Sequence, residues 1–396
     1  MQVCFFEDDQ VKYFYPLALS RPIDDLRLGI LTIREKWIRR LKLNSWIRTE
    51  RVPVNYVFPT GNLESKDDVY WINSRLLPDQ SLIEEIKSLG VSEGLVLDKE
   101  PVVFRLSYEK HLELLAANTN TPQGVSWRQS TGTILEQIWN LYEYNGKQIE
   151  ADTELLTQTN EISPYTPEHA ITIGEMQLFA AESVTVDPGV IIDARKGPVV
   201  LGKNTHIMSG SVIQGPVSIG DNSVVKVGSK IYPDTTIGPV CKVAGEIQNC
   251  IFQGYSNKAH DGFAGNSLFG EWVNLGADTN TSNLKNNYSD IILKDWEEGS
   301  DLESGVQFCG TIMGDHSKTA INTMLNTGTQ CGVASNIFTS TFPPKFIPSF
   351  SWVGDGALVD HIFDKAMDTA SRMMKRRGIT PDENYRSMMR YIFEHR

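Results

Sequence analysis

Cysteine is scarce: the 396-residue chain holds five, Cys4, Cys241, Cys250, Cys309 and Cys331, an odd number with no CxxC pair. That argues against a disulfide framework or a zinc ribbon and fits reduced thiols. Long apolar runs are missing too. Nowhere do about 18 apolar residues follow one another, so no membrane-spanning helix is expected. The opening MQVCFFEDDQ has no basic segment ahead of an apolar stretch, which makes the cytoplasm the expected location. Basic charge is outweighed, 37 Lys and Arg against 49 Asp and Glu for a net −12. A global footprint for nucleic acid or anionic membrane is thereby excluded, and small-molecule chemistry is favoured. The 40% apolar and 22% charged residues, with 31 Gly and 18 Pro, describe a globular chain rich in turns. At about 100 to 200 residues per domain, two or three domains are expected.

An internal period sets the architecture. From 201 to 243 an aliphatic residue stands at every sixth position: Leu201, Ile207, Ile213, Ile219, Val225, Ile231, Ile237 and Val243. Four residues after each of the first seven comes a compact or β-branched residue, Thr205, Ser211, Val217, Ser223, Ser229, Thr235 and Cys241. One inward aliphatic per short strand and one compact residue near each corner is the hexapeptide pattern of a parallel β-helix. A period of six does not fit 3.6 residues per turn, so a helix is excluded. Gly202, Gly220 and Gly238 recur every three hexads, and glycine suits a corner that needs φ > 0. The register breaks after Val243, resumes at Phe263, breaks again over 284–308 and returns at Met313. Residues out of register are expected to leave the prism as loops on a binding face.

The remainder has a different grammar. Residues 1–165 alternate strand candidates (3–6, 54–59, 69–72, 95–98) with helical stretches, as in an α/β domain. Ser81 and Glu84 read as a capping box with Gly90 beyond the end, and 133–144 reads as a second helix. The β-helix is expected over 166–350. A helical extension follows over 351–396: one helix from 364 to 377, then a second with Thr380 as N-cap, Pro381 at N1 and a docking stripe of Tyr385, Met388, Met389 and Ile392.

Two stretches carry a likeness: PLALSRPIDDLRLGILTIREKW at 16–37 and YSNKAHDGFAGNSLFGEWVNLGADTNTSNLKNN at 255–287. The second resembles the acetyltransferase domain of the bacterial family that joins glucosamine-1-phosphate acetyltransferase to N-acetylglucosamine-1-phosphate uridyltransferase. An alternative short form of that family resembles nearly the whole chain. The resemblance implies a left-handed β-helix and a homotrimer with active sites between subunits. It also implies acetyl-CoA as cosubstrate, an amino-sugar 1-phosphate as acceptor, and UTP as the favoured nucleotide on the way to UDP-N-acetylglucosamine. Right-handed crossovers are the general rule for parallel strands, so the handedness comes from the resemblance alone.

Acetyl transfer to an amine needs a base for the proton and donors for the oxyanion formed on the thioester. His260, in the out-of-register segment 256–262, matches the family's catalytic histidine; read by itself it is a surface loop histidine. Asn274 and Asn283 match the sugar-binding and histidine-orienting asparagines, and the backbone of Ala277 matches a thioester-oxygen donor. Where the long form has a lysine, an arginine and a tyrosine, this chain has Gln248, Tyr232 and Phe263; Lys242, Lys258 and Lys285 are the candidates for the missing cation. The basic group Arg372, Lys375, Arg376 and Arg377 suits the 3′-phosphate of coenzyme A, or is a solvated helix face.

The N-terminal stretch resembles a shortened sugar nucleotidyltransferase, whose phosphates are cradled by a glycine-rich loop and basic residues with Mg²⁺. Its loop has a single glycine, Gly29. The nucleotide-binding candidates are Arg21, Arg27, Lys36 and Asn73, and Arg75 stands where the long form has its Mg²⁺-binding aspartate; Asp24, Asp25 and Asp79 are the possible substitutes. Other readings are a nucleotidyltransferase on a non-acetylating trimeric β-helix, a non-enzymatic scaffold, and a three-histidine zinc site of His206, His260 and His316. The zinc site is disfavoured within one chain: His206 and His260 lie three coils apart, about 14 Å at ~4.8 Å per coil.

Overall fold

The computed structural model describes residues 1–58, 66–174 and 177–396. The N-terminal domain is a six-stranded sheet in the order 45–48, 2–6, 69–73, 100–106, 93–97, 126–129. The strands Gln2–Phe6, Ser45–Arg48 and Val69–Asn73 run parallel. The stretch expected as a strand over 54–59 is instead the short helix Val52–Val57, with Pro53 in its first turn where proline's fixed φ is favourable; Pro59 lies outside the described residues. The helix Gln80–Lys87 is capped by Asp79, whose carboxylate accepts from Leu82 N at 2.8 Å, and Ser81 falls inside the first turn. The helix expected at 133–144 begins at Asn140 and continues to Gln158. Its buried face includes Leu141, Asn145, Ile149, Asp152 and Leu156. Two of these are polar, which hid the stripe from a hydrophobic reading.

From 171 onward the chain winds into a parallel β-helix of three sheets, followed by two helices. All eight hexad aliphatics are at most 1% exposed, and the seven compact residues are fully buried. Hydroxyls at these positions satisfy backbone carbonyls at the corners: Ser211 donates to Lys226 O at 2.9 Å and Ser223 to Gly238 O at 2.8 Å. The recurring glycines act differently from expectation. A Cβ on Gly220 would stand 2.7 Å from Gly238 C, and one on Gly238 2.3 Å from Gln253 O, so they permit close stacking of coils. The positive φ falls two residues later, at Asn204, Asn222 and Val240.

The two interruptions are unlike. Val217 pairs with Thr235, eighteen on, but Thr236 pairs with Ile251, fifteen on, and Ile251 with Leu268, seventeen on. The first break is thus a shortened coil that stays in the prism, where a loop was expected. The second is a true excursion. Leu268 pairs with Ile312, and between them the hairpin Ile292–Lys294 with Asp301–Glu303 leaves the prism and buries Ile291 and Leu293 in the N-terminal domain's core.

The C-terminal helices are Phe363–Lys375 and Glu383–Glu394. Asp382, rather than Thr380, caps the second, accepting from Tyr385 N at 2.8 Å. Its Met388, Met389 and Ile392 bury against Val333, Ala334 and Phe350 of the β-helix, as the stripe predicts. No helix among the described residues is long and apolar enough to cross a membrane.

Two buried histidines make stability depend on acid. Trp71 Nε1 donates to His111 Nδ1 at 3.1 Å, and His316 Nε2 meets the Tyr385 hydroxyl at 2.7 Å. Burial lowers His111 to about 4 and, with Lys318 nearby adding repulsion, His316 to about 3. The unfolded chain takes up protons below the free imidazole value of about 6.5 while the folded chain does not. Stability is therefore present above 6.5 and lost as pH falls toward 3. A melting series from pH 7 to 4 is expected to show a fall of several degrees, made shallower by His316→Asn. A curve unchanged in slope by that substitution would remove His316 from the account.

Candidate functional site

His260 occupies the tight turn between the strands Asn257–Lys258 and Phe263–Gly265, with its side chain exposed. The turn is held from below. Lys258 is 1% exposed and its ammonium donates to the carbonyls of His260 at 3.0 Å and Ala244 at 3.3 Å. Burial lowers Lys258 to about 8, against the pull of Asp261. Asp278 N donates to Asp261 O at 3.0 Å. Gly262, at φ +116°, leaves no room for a side chain, since a Cβ would stand 2.3 Å from Thr279 O. The coil after the shortened one thus presents an imidazole on a braced turn, and Lys258, expected to touch substrate, braces it from beneath.

Beside the turn lies a cleft of about 620 Å³. His260, Asn274 and Ala277 line it together, with Lys242, Lys318 and the tail's Arg376 and Arg377. One register row builds its floor: Lys242 pairs with Asn257, Asn257 with Asn274, and Asn274 with Lys318. Ala277 accepts from Asn322 N at 2.8 Å through its carbonyl, and among the described residues its N–H has no partner. A second row, two residues earlier on the same coils, is aromatic, with Tyr255 and Trp272 stacked at 4.3 Å and 15°, and Trp272 lying over His316 at 6.0 Å. Arg377 reaches over the cleft to Asn257 Oδ1 at 3.4 Å. The tail's basic group is therefore divided: Arg376 and Arg377 face the cleft, while Arg372 pairs with Asp368 on the helix surface.

Asn283 is not in this cleft. It lies on the other side of the His260 turn, donating to Asn266 Oδ1 at 2.8 Å beside Gly265 and Phe263. Lys285 is engaged within its own loop by Asp290 O and Ser289. Lys318 and Trp272 were missed by sequence reasoning. Lys318 stands on the same row as Lys242 and Asn274, which a count of coils across both interruptions would have found.

The nucleotide-binding candidates are placed otherwise than expected. Arg21 is buried and pairs with Asp315 at 2.7 Å and Glu271 at 3.2 Å, both in the β-helix. Arg27 donates through its backbone N–H to Gln253 Oε1 at 2.6 Å, and through Nε to Gln253 O at 3.3 Å. Lys36 is fully buried against Asp152, and Asn73 donates to Asp8 at 2.7 Å. Arg21 and Lys36, neutralised by internal carboxylates, have little left for a phosphate, and the Arg27 guanidinium is engaged by the carbonyls of Gln253 and Ile30. The segment 16–37 is a clasp: Gly29 O accepts from Thr236, and Gly29 N donates to Asn145, whose amide donates in turn to Asp234 O.

The donors for Mg²⁺ are likewise committed. Asp24 holds Arg34 at 2.6 Å, Asp25 faces Arg21, Asp79 caps a helix, and Arg75 is paired with Asp8. Burial raises Asp25 to about 7 despite Arg21. No cluster suited to a metal occurs among the described residues, and these carboxylates do not fit the ion. His206 is paired with Asp187 and His316 with Tyr385, and among the described residues no three-histidine zinc site occurs.

Residues 3–161 match the sugar nucleotidyl transferase family model, and 198–233 match the bacterial transferase hexapeptide, six repeats. The chain is 32% identical over 145 residues to a bifunctional sugar-1-phosphate nucleotidylyltransferase/acetyltransferase of Sulfurisphaera tokodaii, covering 36% of each chain. It is 36% identical over 149 residues to YaiX of Escherichia coli K12, a putative uncharacterized acetyltransferase, covering 37% of this chain and 64% of that one. Against the YaiX of Escherichia coli O6:K15:H31, an uncharacterized acetyltransferase, identity is 36% over 156 residues, with 39% and 67% covered. The chain thus spans about a third of the archaeal relative and about two thirds of the bacterial ones. Among solved structures, UDP-N-acetylglucosamine acyltransferase from Campylobacter jejuni is similar at 13% identity and a TM-score of 0.25, over 54% of this chain and 96% of that one.

Proposed function

Since this chain belongs to the hexapeptide-repeat acetyltransferases and carries a sugar nucleotidyl transferase domain ahead of its β-helix, we propose that it moves acetyl from acetyl-CoA to the amine of an amino-sugar 1-phosphate, of the glucosamine-1-phosphate kind. The observation that carries this reading is the exposed His260 on a braced turn, sharing a cleft with Asn274 and with Ala277, whose N–H has no partner among the described residues. His260 takes the proton of the attacking amine as the nitrogen–carbon bond forms. The Ala277 N–H holds the oxyanion of the tetrahedral intermediate, and collapse breaks the carbon–sulfur bond. The thiolate leaves as coenzyme A thiol with the proton returned from the imidazolium.

Asn283, across the turn, completes the acceptor site in a homotrimer, where a neighbouring protomer closes the seam; left-handed winding and a cytoplasmic setting belong to the same reading. Arg376 and Arg377 offer guanidinium forks to the phosphates of coenzyme A. Arg377→Ala is expected to raise KM for acetyl-CoA about tenfold with kcat little changed, the loss of one charge-assisted contact. An unaltered KM in a thiol-release assay would return Arg377 to a structural role.

A second reading, nucleotidyl transfer from UTP to the acetylated sugar phosphate giving UDP-N-acetylglucosamine, is favoured by the family match over 3–161. The test covers both. Acetyl-CoA is offered with a panel of amino-sugar phosphates and free thiol is followed; then UTP or dTTP with Mg²⁺ is added and pyrophosphate is followed. Thiol release with one acceptor supports acetyl transfer, and no release with any acceptor overturns it. Pyrophosphate decides the second reading separately.

A further inference from the structure

Arg21 belongs to the N-terminal domain, yet two of the carboxylates it meets, those of Glu271 and Asp315, stand at one corner of the β-helix. Each coil turns that corner through a residue in the left-handed region, and Tyr255, Trp272 and His316 hold it on successive coils at φ +54°, +62° and +61°. Large side chains adopt that conformation only where their surroundings impose it. Asparagine takes it readily, as Asn222 does lower on the same corner. The stacked rings of Tyr255 and Trp272 also border the cleft that holds His260. Whatever fixes the corner therefore shapes the cleft.

The residues just ahead of the rings do the fixing. Asp315, which precedes His316, accepts from Glu271 N at 2.7 Å through Oδ1, and His316 N donates to Glu271 O at 2.9 Å, so the two coils are tied at the corner. The second carboxylate oxygen faces the N-terminal domain. Asp315 Oδ2 accepts from Ser20 Oγ at 2.6 Å and from Arg21 Nη2 at 2.7 Å, while Arg21 Nη1 lies 3.2 Å from the carboxylate of Glu271, the residue before Trp272. Arg21 and Asp315 are both buried, so water screens the pair little. One guanidinium thus fixes the carboxylates ahead of both Trp272 and His316. Beyond them the His316 carbonyl accepts from Lys318 Nζ at 2.6 Å, and Lys318 lines the cleft. Direct contacts run from the segment 16–37 to two cleft residues, Trp272 and Lys318.

We infer, on the reading of this cleft as the acetyl-CoA site, that Arg21 is a positioning residue for acetyl transfer: the N-terminal domain sets the corner of Trp272 and His316 and so completes the cleft. The test is calorimetric titration of the full chain with acetyl-CoA, with kcat and KM followed by thiol release. Arg21→Gln is expected to weaken acetyl-CoA binding about two- to thirtyfold and to raise KM in step, with kcat little changed. Arg21→Lys, which keeps the charge and loses the fork, is expected to recover part of the loss. Glu271→Gln removes only the more exposed partner, so it is expected to keep the fold and to shift affinity in the same direction. A double-mutant cycle separates positioning from general weakening of the fold. In a Trp272→Asn background, with asparagine at its accustomed corner, Arg21→Gln and Glu271→Gln are each expected to have no further effect, whereas in an Arg377→Ala background the effects multiply. Unchanged affinity in both variants, or effects that multiply with Trp272→Asn, overturns the proposal, and thiol release by the unsubstituted chain then leaves the acetyltransferase reading standing. An unsubstituted chain that binds no acetyl-CoA overturns both.

Discussion

His260→Ala is expected to lower acetyl transfer by a factor of about 10² to 10⁴, the usual worth of a positioned base, while the fold stays as it was. The second half of that expectation comes from the geometry. The ring of His260 is exposed, and among the described residues it makes no hydrogen bond; the turn is held through its backbone carbonyl by the Lys258 ammonium and through Asp261 by Asp278. Removing the imidazole therefore deletes a proton acceptor and leaves the brace in place. Lys258→Met is the contrasting variant. It takes away the brace, so it is expected to reduce both thiol release and thermal stability. Thiol release by His260→Ala at the unsubstituted rate, with acceptor saturating, would end the assignment of His260 as base.

The β-helix was legible because its code is local: one aliphatic and one compact residue per hexad, repeated until chance fails as an explanation, with every member buried. The interruptions were visible, but their nature was not. A shortened coil and an ejected hairpin both break a six-residue register, and only the pairing of Thr236 with Ile251 and of Leu268 with Ile312 tells them apart. The cleft was half legible. His260, Asn274 and Ala277 fall in one conspicuous motif, whereas Arg376, Arg377 and Lys318 reach the same space from a distant helix and from beyond the hairpin. The N-terminal domain was the least legible. A basic residue near a helix start reads alike whether it faces a phosphate or a buried carboxylate, and here Arg21 and Lys36 found carboxylates.

That difference gives the second large effect. Lys36 and Asp152 are both fully buried and in contact, and Asp152 Oδ2 also accepts from Ile30 N at 2.9 Å and Leu31 N at 3.1 Å. Lys36→Met leaves a carboxylate without its cation and is expected to cost about 3 to 5 kcal/mol of stability, read as the midpoint of urea unfolding. Adding Asp152→Asn removes the stranded charge while keeping an oxygen for the two N–H groups, so the double variant is expected to recover most of the loss. Burial, outweighing the attraction of Asp152, lowers Lys36 to about 8. Between there and the free value of about 10.4 the unfolded chain holds the extra proton, so this pair's contribution rises with pH across that window and is flat below it. A phosphate-binding lysine predicts the opposite pattern: a Lys36→Met protein that unfolds at the normal midpoint and has lost only nucleotide affinity. Observing that would return Lys36 to the nucleotide site and remove its pair with Asp152 from the stability of the fold.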